Sequence, residues 1–171
     1  MSWEEFRDIY CCFCEESCNC KSPEDAGEHK CEIFLSIKAK EFAKARLPKS
    51  KYEHSFRVCN YCLELIDSRY RTLSGGKCAA ISFLHDVVED TDCTLEEIRE
   101  EFGYYIMKCV EILTHDKEKI SYPAYIDMIM ESSYKEAKAV KHADMKDHLS
   151  QKETLTPKLK EKYFEVIDRF I

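Results

Sequence analysis

The sequence predicts an all-α domain of about seven or eight helices, and three observations support this class. Only four glycines and four prolines occur in 171 residues, whereas Lys, Glu, Leu, Ile and Ala, which favour helices, are abundant. Apolar residues recur at helical spacing, and no segment shows the alternation typical of a strand. With 44% hydrophobic residues, the chain can also bury a substantial core.

Composition divides the chain into two regions. Residues 1–27 hold a dense cysteine cluster and a turn-rich stretch, whereas residues 28–171 show successive amphipathic patterns. We therefore expect a cysteine-rich N-terminal appendage followed by one helical domain. The predicted helices cover residues 28–46, 53–67, 77–90, 94–102, 103–114, 122–131, 135–149 and 157–170.

Local signals define several of these helices. Thr94 and Glu97 form a capping box at the start of one short helix. Thr156-Pro157 combines a capping residue with a proline at the first helical position. The helix predicted over residues 77–90 contains the uncharged run 78–84, so we expect it to be buried on nearly all sides.

Charge and composition exclude several classes of protein. The net charge of −7 makes the chain a poor general ligand of duplex nucleic acid. No apolar run approaches the roughly 18 residues needed to cross a bilayer, so no membrane segment is expected. The N-terminal Trp3-Glu4-Glu5 is acidic, unlike a secretory signal. Together with an odd number of cysteines, these features favour a cytoplasmic protein whose thiols are reduced or bound to metal.

Eleven cysteines are the compositional anomaly, and five of them fall between residues 11 and 20. Three accounts are open: a zinc site, a redox role, and reduced, inert thiols. The candidate zinc ligands are Cys14, Cys18, Cys20 and Cys31. Four later cysteines are expected on core faces as small hydrophobic residues: Cys59, Cys62, Cys78 and Cys109.

The buried helix ends in a polar run that suggests a metal site. This run contains His85, Asp86, Glu89 and Asp90. Burying three carboxylates and an imidazole together is costly unless a cation compensates. His and Asp are common ligands of zinc, manganese and iron. His54 and Asp144, on two other predicted helices, can complete the set of ligands.

This ordered set of His, His-Asp and Asp on three helices resembles the HD-domain metal-dependent phosphohydrolases. The run Leu84–Thr91 (Leu-His-Asp-Val-Val-Glu-Asp-Thr), followed by Thr94–Ile98 and Phe102-Gly103, is similar to the hydrolase domain of the RelA/SpoT family. The resemblance covers residues 38–150 and extends to the small stand-alone members of that family. It implies an HD-type helical bundle that hydrolyses the 3′-pyrophosphate of guanosine tetraphosphate (ppGpp).

The resemblance also implies a role for individual residues. One divalent metal, usually manganese in this family, would be held by His54, His85, Asp86 and Asp144. Glu89 and Asp90 would handle the hydrolytic water, one orienting it and the other transferring protons. Because the metal lowers the pKa of this water and polarises the phosphoryl group, no nucleophilic side chain is needed.

Substrate contacts are expected among basic residues. The segment 38–51 carries six basic residues against one acid, which suits a polyphosphate, with a solvated helix face as the alternative. That alternative is also open for Lys141 and Lys146. The predicted substrate-binding residues are Arg46, Lys49, Lys51, Lys141 and His148. Arg46 matches an Arg that packs on the base in the family, whereas His148 replaces its substrate-contacting Asn.

The favoured function is therefore a manganese-dependent pyrophosphohydrolase acting on ppGpp or a related phosphorylated nucleotide. One rival is an HD-type phosphatase or phosphodiesterase on another nucleotide. A rival of another class is a nucleotide-sensing or partner-binding module that holds metal without turnover, or a zinc-stapled interaction domain. Glu89 and Asp90 favour the first reading, because HD nucleotidases often lack this pair. The sequence leaves the oligomeric state open.

Overall fold

The computed structural model describes residues 32–170, and the regular secondary structure of this part of the chain is helical throughout. The helices are, in chain order, α1 (Glu32–Arg46), α2 (Lys49–Ser68), α3 (Gly75–Leu84), α4 (Val87–Asp90), α5 (Leu95–Phe102), α6 (Tyr104–Leu113), α7 (Tyr122–Glu131), α8 (Lys135–Ser150) and α9 (Pro157–Phe164), followed by a short 3-10 helix (Ile167–Phe170). Apart from the single turn α4, eight α-helices form the described part, as predicted.

The cysteine-rich region lies outside the described residues. The predicted boundary between residues 27 and 28 also falls there, as do the candidate zinc ligands Cys14, Cys18, Cys20 and Cys31. The four cysteines predicted for core faces are described, and all are buried free thiols: Cys59, Cys62, Cys78 and Cys109.

Helix α3 is the centre of the fold. Residues 78–84 are all buried, and the helix packs against α1, α2, α6 and α8. Its first turn is capped by Ser74, whose Oγ accepts a hydrogen bond from the Lys77 amide at 3.1 Å. An uncharged sequence thus gives a helix surrounded on nearly all sides, as predicted. Consequently the residues that follow its C-terminal end begin inside the bundle.

The prediction of one continuous helix over residues 77–90 was wrong. The helix stops after Leu84, and the chain resumes helical hydrogen bonding only in α4. At the break, the ring of His85 donates from Nδ1 to the Ser82 carbonyl at 2.8 Å, and Asp86 adopts φ −100° and ψ −3°. A side chain that competes for a backbone carbonyl favours such an ending. His85 and Asp86 therefore lie at the junction between the two separate helices α3 and α4.

Helices α2 and α8 pack against each other and against α3, and their buried faces carry polar side chains. Helix α2 starts directly after Pro48, so the break between α1 and α2 is shorter than predicted. Its buried residues include His54 and Ser55. The buried face of α8 includes Asp144 and Asp147. Imidazole and carboxylate groups therefore meet where these two helices adjoin the end of α3.

Close packing of α3 on α1 depends on a glycine. A Cβ atom added at Gly76 would lie 2.5 Å from Glu32 Cβ and 2.6 Å from the Glu32 carbonyl oxygen. At the neighbouring Gly75 the nearest atom would be a Leu63 methyl at 3.7 Å, an ordinary contact. Gly76 is thus required by the approach of another backbone, whereas Gly75 is not.

The remaining helices follow the predicted signals. The capping box of Thr94 and Glu97 is present, and Thr156 caps α9 with Pro157 as its first residue. The helix predicted over 157–170 was too long, because α9 ends at Phe164 and a 3-10 turn follows. None of the helices in the described range is both long and apolar enough to span a membrane.

Candidate metal centre

Three buried residues on separate parts of the fold bring their ligand atoms together. These are His54 of α2, His85 at the end of α3 and Asp144 of α8, whose donor atoms all lie within 4.8 Å of one another. His54 Nε2 lies 3.2 Å from Asp144 Oδ1. The packing of three helices thus assembles three of the four predicted ligands, which are separated by up to 90 positions in the chain.

Asp86, the fourth predicted ligand, lies at the same place. Its Oδ1 is 3.2 Å from His85 Nε2, and its Oδ2 is 3.7 Å from His54 Nε2. Two ligands of one first-row metal ion, each about 2.1 Å from it, lie about 3 to 3.4 Å apart. The separations at Asp86 fall in or near this range. Asp86 therefore lies beside both histidines of the three-residue group.

The inward-facing atoms of this cluster lack hydrogen-bond partners. His54 Nε2, His85 Nε2 and Asp144 Oδ1 are buried and unpaired among the described residues, since the 3.2 Å approach of Asp144 lacks hydrogen-bond geometry. Each unpaired buried polar group costs about 1–3 kcal/mol. A cation between these three atoms would remove that cost, so the donor set fits a divalent metal.

The outer nitrogen of each histidine is already occupied. His54 Nδ1 donates to Asp147 Oδ2 at 2.8 Å, and His85 Nδ1 donates to the Ser82 carbonyl at 2.8 Å. When the rings are neutral, these bonds leave the lone pair on Nε2, which is the nitrogen that faces the cluster. Metal-binding histidines are commonly oriented in this way by a carboxylate or a carbonyl.

Asp147 is a residue that the sequence analysis missed. It is fully buried, and besides His54 it binds the guanidinium of Arg57, with Nε at 2.8 Å and Nη2 at 3.0 Å. Its position three residues after Asp144, on the same face of α8, was the available signal. Asp147 thus connects the cluster to the positively charged side chain of Arg57 on α2.

The charges of the cluster favour a cation at its centre. Burial opposes the protonation of His54, but the neighbouring carboxylates, Asp144 first, outweigh it and raise its pKa to about 9. Burial also opposes the charged form of His85, and its pKa is nevertheless raised by Asp86. In return, the pKa of Asp86 is lowered despite its burial, chiefly by His85. The site therefore attracts positive charge.

Lys141 is a largely buried partner of Asp144. Its Nζ lies 2.8 Å from Asp144 Oδ2 and faces the rings of Tyr122 and Tyr125 at 5.7 and 5.2 Å. Burial disfavours its charge, yet Asp144 raises the pKa of Lys141 well above its ordinary value. Only 13% of the side chain is exposed, so a solvated helix face is excluded for this residue. Lys141 therefore pairs with Oδ2 of Asp144, whereas Oδ1 of Asp144 lies near His54 and His148.

His148 also lies beside the cluster. Its Nε2 is 3.2 Å from Asp144 Oδ1, and its ring centre is 4.8 Å from that of His54. The ring stacks on Tyr163 of α9 at 5.5 Å with an interplanar angle of 18°. The structure therefore brings this predicted substrate residue into contact with the proposed metal ligands.

The two predicted catalytic acids are held by residues of other elements. Asp90 Oδ2 lies 3.0 Å from Lys51 Nζ, and burial of this lysine is outweighed by Asp90, which raises its pKa. Glu89 Oε1 accepts a hydrogen bond from the His115 amide at 2.7 Å, and its Oε2 lies 3.8 Å from Lys117 Nζ. Both carboxylates, three and four residues after Asp86, therefore have partners on other elements.

Arg46 and Lys49 are not brought into contact with the cluster. The guanidinium of Arg46 packs on the ring of Phe42 at 3.5 Å and lies 3.4 Å from Glu97 Oε1. The side chain of Lys49 is 90% exposed and lies 3.8 Å from Glu53. Of the basic residues predicted before His54, only Lys51 is paired with one of the predicted site residues.

The sequence analysis also missed two basic residues near the cluster, Lys117 and Lys162. Lys162 of α9 lies over the ring of Tyr122 at 3.8 Å, and its pKa is lowered by burial and by the neighbouring charges of Lys141 and Lys117. The Tyr122 hydroxyl is buried without a hydrogen-bond partner among the described residues. Lys117 and Lys162 are far apart in the chain, so no local pattern marks them as neighbours.

Comparison with known proteins supports the fold. No family profile matches the chain. No match is found among curated proteins either. Among solved structures, the chain is similar to one described as a metazoan ortholog of SpoT that hydrolyzes ppGpp and plays a role in starvation responses. The identity is 23% over 80% of this chain and 83% of that chain, with a TM-score of 0.59. The expected fold resemblance is confirmed.

Proposed function

We propose that the protein is a metal-dependent phosphohydrolase of nucleotides that releases the 3′-pyrophosphate of ppGpp. The observation that carries this proposal is the convergence of unpaired ligand atoms of His54, His85 and Asp144, with Asp86 beside both histidines. The shared fold with a structure described as a ppGpp-hydrolysing protein supports the choice of substrate.

The proposed cofactor is one divalent ion, with manganese as the native metal. Two imidazoles and two carboxylates form a mixed donor set that manganese, iron and zinc can all use. When bound, the ion supplies charge stabilisation at the phosphoryl group and lowers the pKa of a water molecule.

The chain's own residues would orient the reactants. Asp147 holds the ring of His54, and Lys141 holds one oxygen of Asp144. We assign Glu89 to orient the attacking water and Asp90 to accept and return its proton. The contacts of these acids with the His115 amide and with Lys51 restrict their positions before substrate binds.

The phosphates would be bound by the lysines around Glu89 and Asp90. Lys51, Lys117 and Lys162 supply positive charge from three different elements. Lys141 is already paired with Asp144, so we assign it to orienting this proposed metal ligand rather than to binding the substrate. We keep Arg46 as a contact for the base and Lys49 as a contact for an outer phosphate. These two parts of the substrate would lie farther from the metal.

A second candidate is hydrolysis of another phosphorylated nucleotide by the same centre. The observation that favours it is His148, which stands where the resembled family has a substrate-contacting Asn. Its 3.2 Å contact with Asp144 gives this position a different chemistry from that of an amide. The metal-dependent reaction would be the same, and the nucleotide would differ.

The experiment that tests both candidates is a product analysis. The protein, freed of metal and reloaded with Mn²⁺, is incubated with ppGpp and with a panel of nucleoside mono-, di- and triphosphates. Pyrophosphate and GDP in equal amounts from ppGpp would support the first candidate. Turnover of another nucleotide alone would support the second. Bound metal without turnover of any substrate would instead indicate a sensing module.

The same proposal includes a cytoplasmic setting and a nucleotide as the partner. The cysteines in the described range are buried free thiols, with the pKa of Cys59 raised to about 12 chiefly by burial. Thiols of this kind persist in a reducing compartment.

A further inference from the structure

Two consecutive helices, α1 and α2, leave an open groove between them. The groove has a volume of about 410 Å³, and its lining residues are Lys40 of α1 and Tyr52, Glu53, Phe56 and Arg57 of α2. Phe56 lies two positions after His54, so it projects from the opposite side of α2. The groove is therefore separate from the candidate metal site.

An apolar face of α2 forms one wall of the groove and continues beyond it. Phe56 and Leu63 lie seven positions apart on this face and are 41% and 39% exposed. Cys59 is buried between them, and one turn before Phe56 the ring of Tyr52 stacks on that of Phe83 at 6.3 Å. Large apolar side chains that recur on an exposed helix face favour a surface for binding another segment.

The other wall, α1, carries positive charge without acidic partners. Lys40 Nζ lies over the ring of Phe56 at 5.7 Å, and Lys44 follows one turn later. The other basic residues of the segment 38–51 each have an acidic partner, namely Lys38, Arg46, Lys49 and Lys51. Lys40 and Lys44 have none in the described part of the chain. The groove therefore suits a segment that combines apolar side chains with negative charge.

We propose that residues 3–16 of this chain pack in the groove. This range lies outside the described residues, and its sequence matches the groove in two respects. Its aromatic residues recur at intervals of three and four, the period of one helix face: Trp3, Phe6, Tyr10 and Phe13. It also has five acidic residues, with Arg7 as its one base: Glu4, Glu5, Asp8, Glu15 and Glu16. The range thus complements the groove in both polarity and charge.

Chain connectivity favours this segment over a separate partner. Helix α1 begins at Glu32, beside Gly76, and a Cβ atom added at the neighbouring Gly75 would lie 3.7 Å from a Leu63 methyl. The chain therefore enters α1 near the Leu63 end of the apolar face. Residues 17–31 can extend over about 50 Å at most, whereas α2 is about 30 Å long. Because the segment is tethered within reach, its effective concentration at the groove is on the order of millimolar.

Trp3 is the only tryptophan of the chain, so its fluorescence reports directly on this contact. The full chain is kept reduced and excited where tyrosine does not absorb. Its emission wavelength and its quenching by acrylamide are compared with those of the protein unfolded in urea. These readouts depend on neither metal nor substrate, so they test the groove independently of the proposed function.

Two variants change the groove, and two matched variants serve as controls. Phe56→Ser removes the exposed ring, and Lys40→Glu reverses the charge above it. The controls are Phe164→Ser and Lys160→Glu, because Phe164 of α9 is also exposed, at 55%, and Lys160 Nζ lies over its ring at 5.6 Å. Far-ultraviolet circular dichroism checks that all four variants remain folded.

We expect wild-type Trp3 to emit at a shorter wavelength than in urea and to be protected from acrylamide. Phe56→Ser should weaken packing of the segment at least about tenfold, because burial of an aromatic side chain is lost. Its Trp3 emission and quenching should shift towards those of the unfolded protein. Lys40→Glu should shift them in the same direction, and both controls should match the wild type.

Three results would overturn the proposal. The first is a wild-type Trp3 as exposed as in urea. The second is a protected Trp3 that neither Phe56→Ser nor Lys40→Glu exposes, which would place the segment elsewhere. The third is protection that appears only as a dimer forms at higher protein concentration, which would place the segment on a second copy of the chain.

Discussion

Asp147 Oδ2 lies 2.8 Å from His54 Nδ1, and this contact decides which nitrogen of His54 faces the candidate metal site. Because Asp147 is fully buried and also binds Arg57, its carboxylate cannot turn away without losing both His54 and the charged Arg57 as partners. The orientation of a ligand on α2 is thus controlled from α8, the helix that also supplies Asp144.

The first prediction concerns this contact. Asp147→Asn keeps the volume of the side chain but removes the charge that supports His54, so we expect metal affinity to fall by about 10- to 100-fold. Isothermal titration with Mn²⁺ measures the change. Arg57→Gln is the matched control, because it removes the other partner of Asp147 and leaves the bond to His54. Equal losses in both variants would show that the His54 contact has no special role.

The second prediction concerns the stability of the metal-loaded protein. Converging unpaired atoms destabilise the metal-free fold, so bound metal should stabilise it. At a free-ion concentration of about a hundred times Kd, we expect the free energy of unfolding to rise by about 2.7 kcal/mol and the Tm by about 5 to 10 °C. Thermal unfolding with and without Mn²⁺ measures the shift, and EDTA should reverse it. Asp86→Asn should lose most of the shift. A Tm that does not respond to any divalent ion would contradict the proposed centre.

Much of the candidate site could be predicted from the sequence because its signals are local. His85 and Asp86 follow an uncharged helix. The order of residues from His85 to Asp90, His-Asp-Val-Val-Glu-Asp, is specific to the resembled family. Burial of α3 places the start of that run, at His85, inside the bundle, whereas Glu89 and Asp90 at its end are exposed. The break after Leu84 was not predictable in this way, because it depends on the bond that the His85 ring makes to a backbone carbonyl.

The third prediction concerns the packing of α3 on α1. A methyl group at Gly76 would meet the backbone of Glu32, which cannot move aside as a flexible side chain can. We expect Gly76→Ala to lower the free energy of unfolding by about 1–3 kcal/mol. Gly75→Ala, one position earlier, should be neutral or stabilise the helix by up to about 1 kcal/mol. Urea unfolding of the two variants measures the difference, and similar values for both would refute the close approach.

The fourth prediction concerns the phosphate contacts. Lys162 is repelled by Lys141 and Lys117, so a bound phosphate relieves an existing repulsion as well as forming a charge-assisted contact. Lys162→Ala should raise KM for the nucleotide about tenfold or more, with a smaller effect on kcat. Lys158→Ala, an exposed lysine on the same helix, serves as the control. Unchanged KM in Lys162→Ala would remove this residue from the substrate site.

The residues that the sequence analysis missed share one property: their roles come from contacts between distant segments. Lys162 reaches the site from α9, and Asp147 acts through a helix about 90 positions away from it in sequence. Arg46, whose substrate contact stays a prediction, packs on Phe42 and lies near Glu97, and neither contact could be read from the sequence. Local patterns identify chemical types, and only the packing of helices determines which of them meet.

The fifth prediction concerns Glu89, which lies beyond the ligands and is held by the His115 amide. Glu89→Ala should bind metal as the wild type does and lose about 100- to 10,000-fold in kcat, because it orients the water without binding the ion. Metal titration and steady-state rates separate the two effects. Full activity in this variant would refute its assigned role.

In the proposed function, an ion held by His54, His85, Asp86 and Asp144 drives hydrolysis of ppGpp. Its most direct test is the rate of pyrophosphate release from ppGpp as Mn²⁺ is added to metal-free protein. We expect release that rises with bound metal, saturates at one ion per chain and is absent from Asp86→Ala. Release at the full rate without metal, or none from protein with the ion bound, would contradict the claim.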